Sequence, residues 1–390
     1  MNWHQSLPFS DFSFFLFGGI AIAFILVLKA IGKKSLFPFA TTVISLTYLG
    51  FLYPKPLHFI GVVIYLYVSL QLLLRFYRKS NIVFPMFLLA LPMVCMKITN
   101  ILPYPEGGLV TGAFLFQIAG LSYLSFRVMG LYVDERRKNR LTPPLDFFNF
   151  CAFVPTLLIG PIDRFANFQS ESNKAIDQIT IANTIQAIEF LLQGLVYKFI
   201  IAHFLFSALL EPLINNGSIL YHLQYMYIYL VYLFFDFAGY SLLAMAFGKF
   251  MGFSVPVNFN LPFLSQNPKE FWTRWHKSLG DWLGDYFFKP IFKDLTSKKR
   301  FKSIQRQNLA LFATFGIMGF WNGFELHFIL SGFIFGLYSV IHNYYIYRCK
   351  KAKRDVLFGN LSPLFIKGVS IFLMFNATAF AIYIFSGNLI

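Results

Sequence analysis

The sequence predicts an all-α, polytopic membrane protein, and three observations carry that expectation. Of its 390 residues, 57% are hydrophobic and 13% charged, against about 45–50% and about 25% in soluble domains. Apolar runs long enough to cross a bilayer as helices recur along the whole chain. The positive charge is gathered into the loops that follow alternate runs. This composition excludes an ordinary soluble enzyme, a disordered chain and a disulfide scaffold: aromatic residues make up 20%, including 52 Phe, and there are 3 Cys. Cys95, Cys151 and Cys349 have neither metal nor redox spacing, so no metal site is expected.

Taken in order, the apolar runs lie near residues 12–29, 36–53, 57–74, 82–98, 110–133, 184–211, 221–252, 307–321, 326–347 and 364–386, about ten crossings. The chain reads as one integral membrane domain over 1–390, with peripheral spans in 1–110, a core in 110–345 and a last span in 346–390. The shorter run 145–160 ends in Gly160–Pro161 and is expected to be re-entrant, because broken backbone at membrane depth must be covered by protein.

The formal charge is +16, from 33 Lys and Arg against 17 Asp and Glu. Lys29, Lys33 and Lys34 follow the first run; Arg75, Arg78 and Lys79 follow the third; Arg136, Arg137, Lys138 and Arg140 follow the fifth. A basic stretch from Lys289 to Arg306 precedes the eighth, and Arg348, Lys350, Lys351, Lys353 and Arg354 follow the ninth. The alternate loops are poor in positive charge. All basic clusters thus fall on one predicted face, the pattern of cytoplasmic loops against anionic lipid rather than of a nucleic-acid binder. Both termini are expected outside the cell membrane, and Met1–Asp11 carries no features of a removable signal peptide.

The longest hydrophilic stretch, residues 254–307, is too aromatic for a linker. It is expected to lie on or partly in the bilayer as amphipathic helices. Pro268 suits a first helical turn with Asn267 as its cap. From there Phe271, Trp272, Trp275, Leu279 and Trp282 form an apolar stripe at helical spacing, with His276 at its edge.

Soluble-enzyme motifs are absent, so chemistry is sought among polar groups at membrane depth, which are costly to keep there. Asn258 to Ser265, Glu270 to Leu279, and Asp285–Tyr286 form the strongest constellation. Within it, His276 has Arg274 and Trp275 beside it and Asp281 five positions on. A neutral imidazole suits general-base work near pH 7; equally, an interfacial His276–Asp281 pair would only anchor the segment. Met318 to His327 contains Trp321, Asn322 and Gly323 and reads as a very short turn with Asn–Gly supplying permissive backbone. Gly160 to Phe165 offers Asp163 and Arg164 as an internal pair. Asp236 lies within a run and must face a partner or water. Lys198 and His203 read as packing or snorkelling residues.

These residues resemble the membrane-bound O-acyltransferase (MBOAT) superfamily. The resemblance rests on Phe153 to Thr156, Gly160 to Phe165, Phe234 to Ser241, Pro262–Phe263, and Phe271 to His276. It is clear over about residues 110–345 and looser at the ends. Within the superfamily they look most like the D-alanyl transfer (DltB-type) branch of teichoic acid synthesis. The alginate O-acetyltransferase branch shares the motif around Arg274, Trp275 and His276 and the Asp285–Tyr286 pair. Its usual Leu-Gly-Gly-Asn-Arg run is missing from Phe292–Arg306.

The resemblance implies a ring of helices around a narrow tunnel, with an acyl donor on the cytoplasmic face and an acceptor on the outer face. It implies a small acidic carrier protein that holds D-alanine as a thioester on its phosphopantetheine arm. The acceptor would be a teichoic acid hydroxyl, with the teichoic acid or other membrane proteins of the same pathway as partners on the outer face. No directly bound cofactor is implied. Two rival readings stay open: a polysaccharide O-acetyltransferase of the same superfamily, and a non-catalytic transporter or scaffold. Two histidines are usual in the family. His276 matches the first, but Asn322 stands where a Trp-His-Gly triplet has the second. Three explanations stay open: an inactivated version of a working enzyme, His276 acting alone, or His327 in substitution. Asp163, Arg164, Asp236, Arg274, Trp275, Ser265, Trp321 and Asp285 are expected to support the tunnel.

The charge map makes a direct prediction. A reporter fused after Ile390 should be active only as an outward-facing domain, and a cytoplasmic reporter signal would break the assignment of faces.

Overall fold

The computed structural model describes residues 12–53, 56–78, 82–101, 120–158, 160–213, 218–298, 301–355 and 361–389. Among them, all regular structure is helical. The chain divides into two compact units, one from residues 1–196 and 239–256, the other from 197–238 and 257–390.

The first unit holds α1 (Phe12–Ala30), α2 (Phe37–Leu52), α3 (Pro56–Phe76), α4 (Val83–Ile101), α5 (Leu121–Lys138), α6 (Pro144–Cys151), α7 (Phe165–Gln178) and α8 (Ile181–Leu195), with the last turns of α9 (Ile219–Phe250). Its core includes Phe14, Tyr48, Tyr240, Leu243 and Phe247. The ring of Phe14 meets Tyr48 at 5.5 Å and Phe247 at 5.1 Å, both edge-on, the geometry aromatic quadrupoles favour.

The expected break in 145–160 is real as a change of structure. α6 ends at Cys151 and a single turn of 3-10 helix follows at Val154–Thr156. A helix end leaves carbonyls without intrahelical partners. Arg127 of α5, buried at 2% exposure, takes them up. Its guanidinium donates to Phe150 O at 2.8 Å, to Cys151 O at 3.3 Å, and to both the carbonyl and the hydroxyl of Thr156. One cation therefore closes the backbone of the whole break.

The C-terminal end of α9 is fixed by a second device. Gly252 sits at φ +83°, a left-handed conformation, and a Cβ there would overlap the carbonyl of Ala175 in α7. This close approach seats Phe253 in parallel contact with Phe168 (5.2 Å) and Phe37 (5.8 Å).

In the second unit, the path of α8 continues as π-helical turns, Val196–Ala202 and Leu205–Leu210. The N-terminal part of α9 follows, then α10 (Pro268–Trp272), α11 (Lys277–Leu283), a π turn at Gly284–Phe288, α12 (Lys289–Ser297), α13 (Ser303–Asn322), α14 (Leu326–Ala352) and α15 (Pro363–Phe385). α13 and α14 form an antiparallel pair in which Gly319 and Gly332 let the two backbones touch.

Each predicted apolar run carries a helix over its described part. Among the described residues, five segments are long and apolar enough to cross a membrane: Pro56–Phe76, Ile181–Leu213, Ile219–Phe250, Leu326–Ala352 and Pro363–Phe385; Phe14–Ala30 and Val83–Thr99 are shorter apolar helices. The start of run 110–133, Met1–Asp11, Lys79, Lys299, Arg300 and Ile390 lie outside the described residues.

Two expectations are corrected. The stripe from Phe271 to Trp282 does not lie on the bilayer. Phe271, Trp275, Leu279 and Trp282 are each 5% exposed or less, and Phe271 stacks on Phe335 of α14 at 6.0 Å. Nor does it run along one helix: Asn267 caps α10 as expected, accepting from Glu270 N at 2.9 Å, but α10 stops at Trp272 and α11 starts after His276. The second correction concerns Gly323. Its backbone is extended (φ −177°), so no permissive turn is involved. Its need is space, because a Cβ would overlap Glu325 and the ring of Phe328.

Gly252→Ala is expected to lose about 2 kcal/mol or more, combining left-handed strain of ~1–2 kcal/mol with steric overlap. Thermal unfolding of the purified protein in detergent should show it, while Gly61→Ala, at an open helical position, should not.

Candidate functional site

His276 is held in a conformation its own backbone resists. Its φ and ψ of +44° and +48° are left-handed, which costs a residue with a Cβ about 1–2 kcal/mol. The neighbouring segment Asn258–Asn260 offsets that strain. Asn260 N donates to Arg274 O at 2.9 Å, and Lys277 N donates to Asn258 O at 2.9 Å, one bond on each side of His276. The side-chain carbonyl of Asn258, 0% exposed, also accepts from Ser278 Oγ at 2.6 Å and Ser278 N at 3.3 Å. At about 0.5–1.5 kcal/mol per bond, these interactions match the strain. The His276 carbonyl begins α11 by accepting from Leu279 N and Gly280 N.

The imidazole is 5% exposed. Phe237 of α9 meets it edge-on at 4.6 Å, and the Trp321 ring of α13 lies 6.4 Å away. Neither ring nitrogen has a hydrogen-bond partner among the described residues. Buried polar atoms are almost always paired, so two orphans on one ring mark a group kept for something other than stability. His276 belongs to the segment linking α9 to α13, outside any spanning helix. Burial there pushes its pKa down to about 3, leaving a neutral ring.

Asn322 ends α13 beside Trp321 and turns its amide back on its own helix, donating from Nδ2 to Met318 O at 3.0 Å. His327 stands elsewhere on α14: its ring lies against Phe328, with ring centres 4.0 Å apart, and near Gly387.

The anchoring His276–Asp281 pair is not formed, because Asp281 bonds Lys277 at 2.5 Å on the surface. Trp275 packs among Phe259, Phe263 and Phe271. Arg274 pairs with Glu270 at 2.7 Å and ties α10 together. Ser265, 1% exposed, closes its own 3-10 turn on Pro262 O at 2.6 Å. Asp285 bonds Lys289 at 2.5 Å.

Asp236 finds the partner that a carboxylate in an apolar helix requires: Lys198 Nζ, at 2.6 Å. Lys198 is 14% exposed and sits in the first π turn, so it is neither packing filler nor a snorkelling residue. Sequence reasoning missed this pair. The signal was available, since an Asp within an apolar run asks for a cation and Lys198 is the cation in the preceding apolar run. It also gave no role to Asn258.

Asp163 and Arg164 belong to the first unit. Asp163 Oδ1 accepts from the backbone N–H of Arg164 at 2.7 Å and from Asn167 at 2.9 Å, at the start of α7. Burial pushes this carboxyl up to about 6, against the pull of those two bonds.

Residues 62–384, which include His276 and Asn322, match the membrane-bound O-acyltransferase (MBOAT) family. Among similar proteins is a teichoic acid D-alanyltransferase of Bacillus subtilis, 33% identical over 98% of both chains. Another of that name, from Streptococcus thermophilus, is 34% identical over 78% of this chain and 74% of its own. A probable alginate O-acetylase of Pseudomonas aeruginosa is 32% identical over 57% of this chain and 42% of its own.

The Asn258–Ser278 contact should appear as coupling. In a double-mutant cycle of Asn258→Ala and Ser278→Ala, read by thermal unfolding, a coupling of about 0.5–1.5 kcal/mol is expected. Strict additivity would show that Asn258 does not hold this loop.

Proposed function

The chain belongs to the membrane-bound O-acyltransferase family, and from that premise we propose that it transfers D-alanine from a carrier-protein thioester to a teichoic acid hydroxyl across the membrane. The coarser statement, a multi-pass membrane protein of an acyl-transfer family, is the ground for it. The observation that carries the finer one is the buried, partnerless imidazole of His276, in a chain matching a teichoic acid D-alanyltransferase from end to end. The alginate O-acetylase likeness covers little more than half of the chain and carries less weight.

In this reading, the acceptor hydroxyl and the thioester carbonyl meet at His276, at the narrow point of a passage through the protein. The hydroxyl oxygen attacks the carbonyl carbon. A C–O bond forms, the C–S bond breaks, and the hydroxyl proton passes by way of the imidazole to the departing thiolate of the phosphopantetheine arm. A base with a pKa of about 3 is weak. It takes the proton only as C–O bond formation makes that proton acidic, so its contribution belongs at the low end of the range for general bases, about 10²-fold. The apolar wall of Phe237 and Trp321 excludes water from the thioester. Asn322 has no basic site near neutral pH and serves to position a substrate, not to move a proton.

The donor is a phosphopantetheine arm on a small acidic carrier. The basic run from Lys289 to Arg306 is its docking face by charge complementarity. The teichoic acid acceptor, presented with other membrane proteins of that pathway, reaches His276 from the outer face.

His276→Gln keeps a hydrogen-bonding side chain and removes the base; transfer of radiolabelled D-alanine should fall about 10²-fold or more, with carrier binding retained. Asn322→His raising turnover by orders of magnitude would show that the second position is disabled in this chain, whereas no change would leave His276 as the sole base. Because the ring stays neutral well below its usual pKa of about 6.5, its protonation should not limit the rate between about pH 5 and 8. An acid limb near 6.5 that vanishes in His276→Gln would contradict the buried, neutral ring.

A further inference from the structure

One face of α9 in the second unit is made of hydrogen-bonding groups. His222, Tyr225, Tyr229, Tyr232 and Asp236 recur at intervals of three and four residues, the spacing of a single helical face. They extend about 21 Å along the helix axis. The next face round, with Met226 and Leu230, is apolar and buried. α9 is long and apolar enough to span a membrane. A polar stripe of this length within a span borders something other than lipid tails, because tails cannot satisfy it.

The protein itself closes the two ends of the stripe. At the first, His222 Nδ1 and the Tyr383 hydroxyl of α15 lie 2.6 Å apart. At the other, Lys198 donates to Asp236 Oδ1 at 2.6 Å. Between them the rings engage one another. Tyr225 and Tyr229 stack at 5.5 Å, and Tyr229 meets Tyr232 at 6.0 Å. What remains on offer is the hydroxyl edges. Those of Tyr229 and Tyr232 have no hydrogen-bond partner among the described residues, and neither has Asp236 Oδ2. All three residues are half-buried, so these groups are not sealed in.

Three open polar groups in a row narrow the choice of ligand. A hydrocarbon chain laid over them would leave each one unpaired. A hydroxyl-rich chain pairs with all three: the phenols donate to its oxygens, and the carboxylate accepts from its hydroxyls. The stripe also has a direction. It starts after a loop that the charge map assigns to the outer face. It ends one residue before Phe237, whose ring lies edge-on to the His276 imidazole at 4.6 Å. We propose that this stripe is the binding track for the acceptor, a polyol chain. Asp236, tethered by Lys198, holds the hydroxyl nearest His276, and Tyr229 and Tyr232 hold those behind it. The inference rests on the function proposed above and adds the residues that select a hydroxylated acceptor.

Equilibrium binding to the purified full chain tests the track without turnover. The probes are a synthetic glycerol phosphate trimer and its propanediol phosphate counterpart, which keeps the charges and lacks the free hydroxyls. The native protein should bind the first about tenfold more tightly, the contribution of two ordinary hydrogen bonds. Tyr229→Phe combined with Tyr232→Phe keeps the rings and their packing and should erase that preference. Tyr227→Phe should keep it, because that hydroxyl bonds Asn376 away from the stripe. In transfer assays the paired change should raise KM for the acceptor and leave kcat and the carrier's KM unchanged. Equal binding of the two trimers, binding of neither, or a preference that survives the paired change overturns the track. So does its loss in Tyr227→Phe. If His276→Gln stops transfer while the paired change alters nothing, the proposed function stands and the track falls. If the preference behaves as expected but the native protein transfers no D-alanine, the track stands as a polyol site and the proposed function falls.

Discussion

A polar group buried away from water costs on the order of 1–3 kcal/mol when it has no partner, and this chain, with apolar residues as 57% of its length, has little water to offer. Its polar contacts follow from that single constraint. Arg127 is buried because α6 stops short and leaves carbonyls open, and one guanidinium has enough donors to take three of them. Lys198 reaches Asp236 because neither charge is tolerable alone between apolar helices. The π-wound turns around Lys198 interrupt the regular ladder of the helix where that contact is made.

Among the described residues, His276 is the buried side chain with two unpartnered polar atoms, and its meaning comes from that rule. The loop around it is bonded on both sides: Asn260 N donates to Arg274 O before it, Asn258 accepts from Lys277 and Ser278 after it, and Asp281 is occupied by Lys277. The histidine itself has two empty nitrogens and a strained backbone. Such a residue persists only where the surroundings over-determine it. Here four hydrogen bonds from a neighbouring extended segment do so. A ring walled by Phe237 and Trp321 is held neutral by its burial.

The outer stripe of α15 extends the same logic from hydrogen bonds to apolar surface. A membrane protein needs no apolar partner for surface that faces lipid, so residues such as Phe365, Val369 and Leu373 remain exposed without cost.

The sequence by itself determined the helical, membrane-spanning character of the chain, because apolar run length and the demand for internally bonded backbone leave few alternatives. It also marked Asn267 as the cap of α10, since a cap follows from local spacing. It misplaced what depends on chain reversal. A stripe at helical period is the same whether it faces lipid or Phe335, so burial of Phe271 to Trp282 and the break at His276 were not visible. Gly323 read as a turn residue because its sequence neighbours suggest one, while its real need is room for Phe328. Lys198 with Asp236, and Asn258 with Ser278, lie 38 and 20 positions apart. Periodicity cannot pair residues at such separations. Only the packing of α9 against the π turns, and of the 258–260 segment against the His276 loop, brings those atoms within bonding distance.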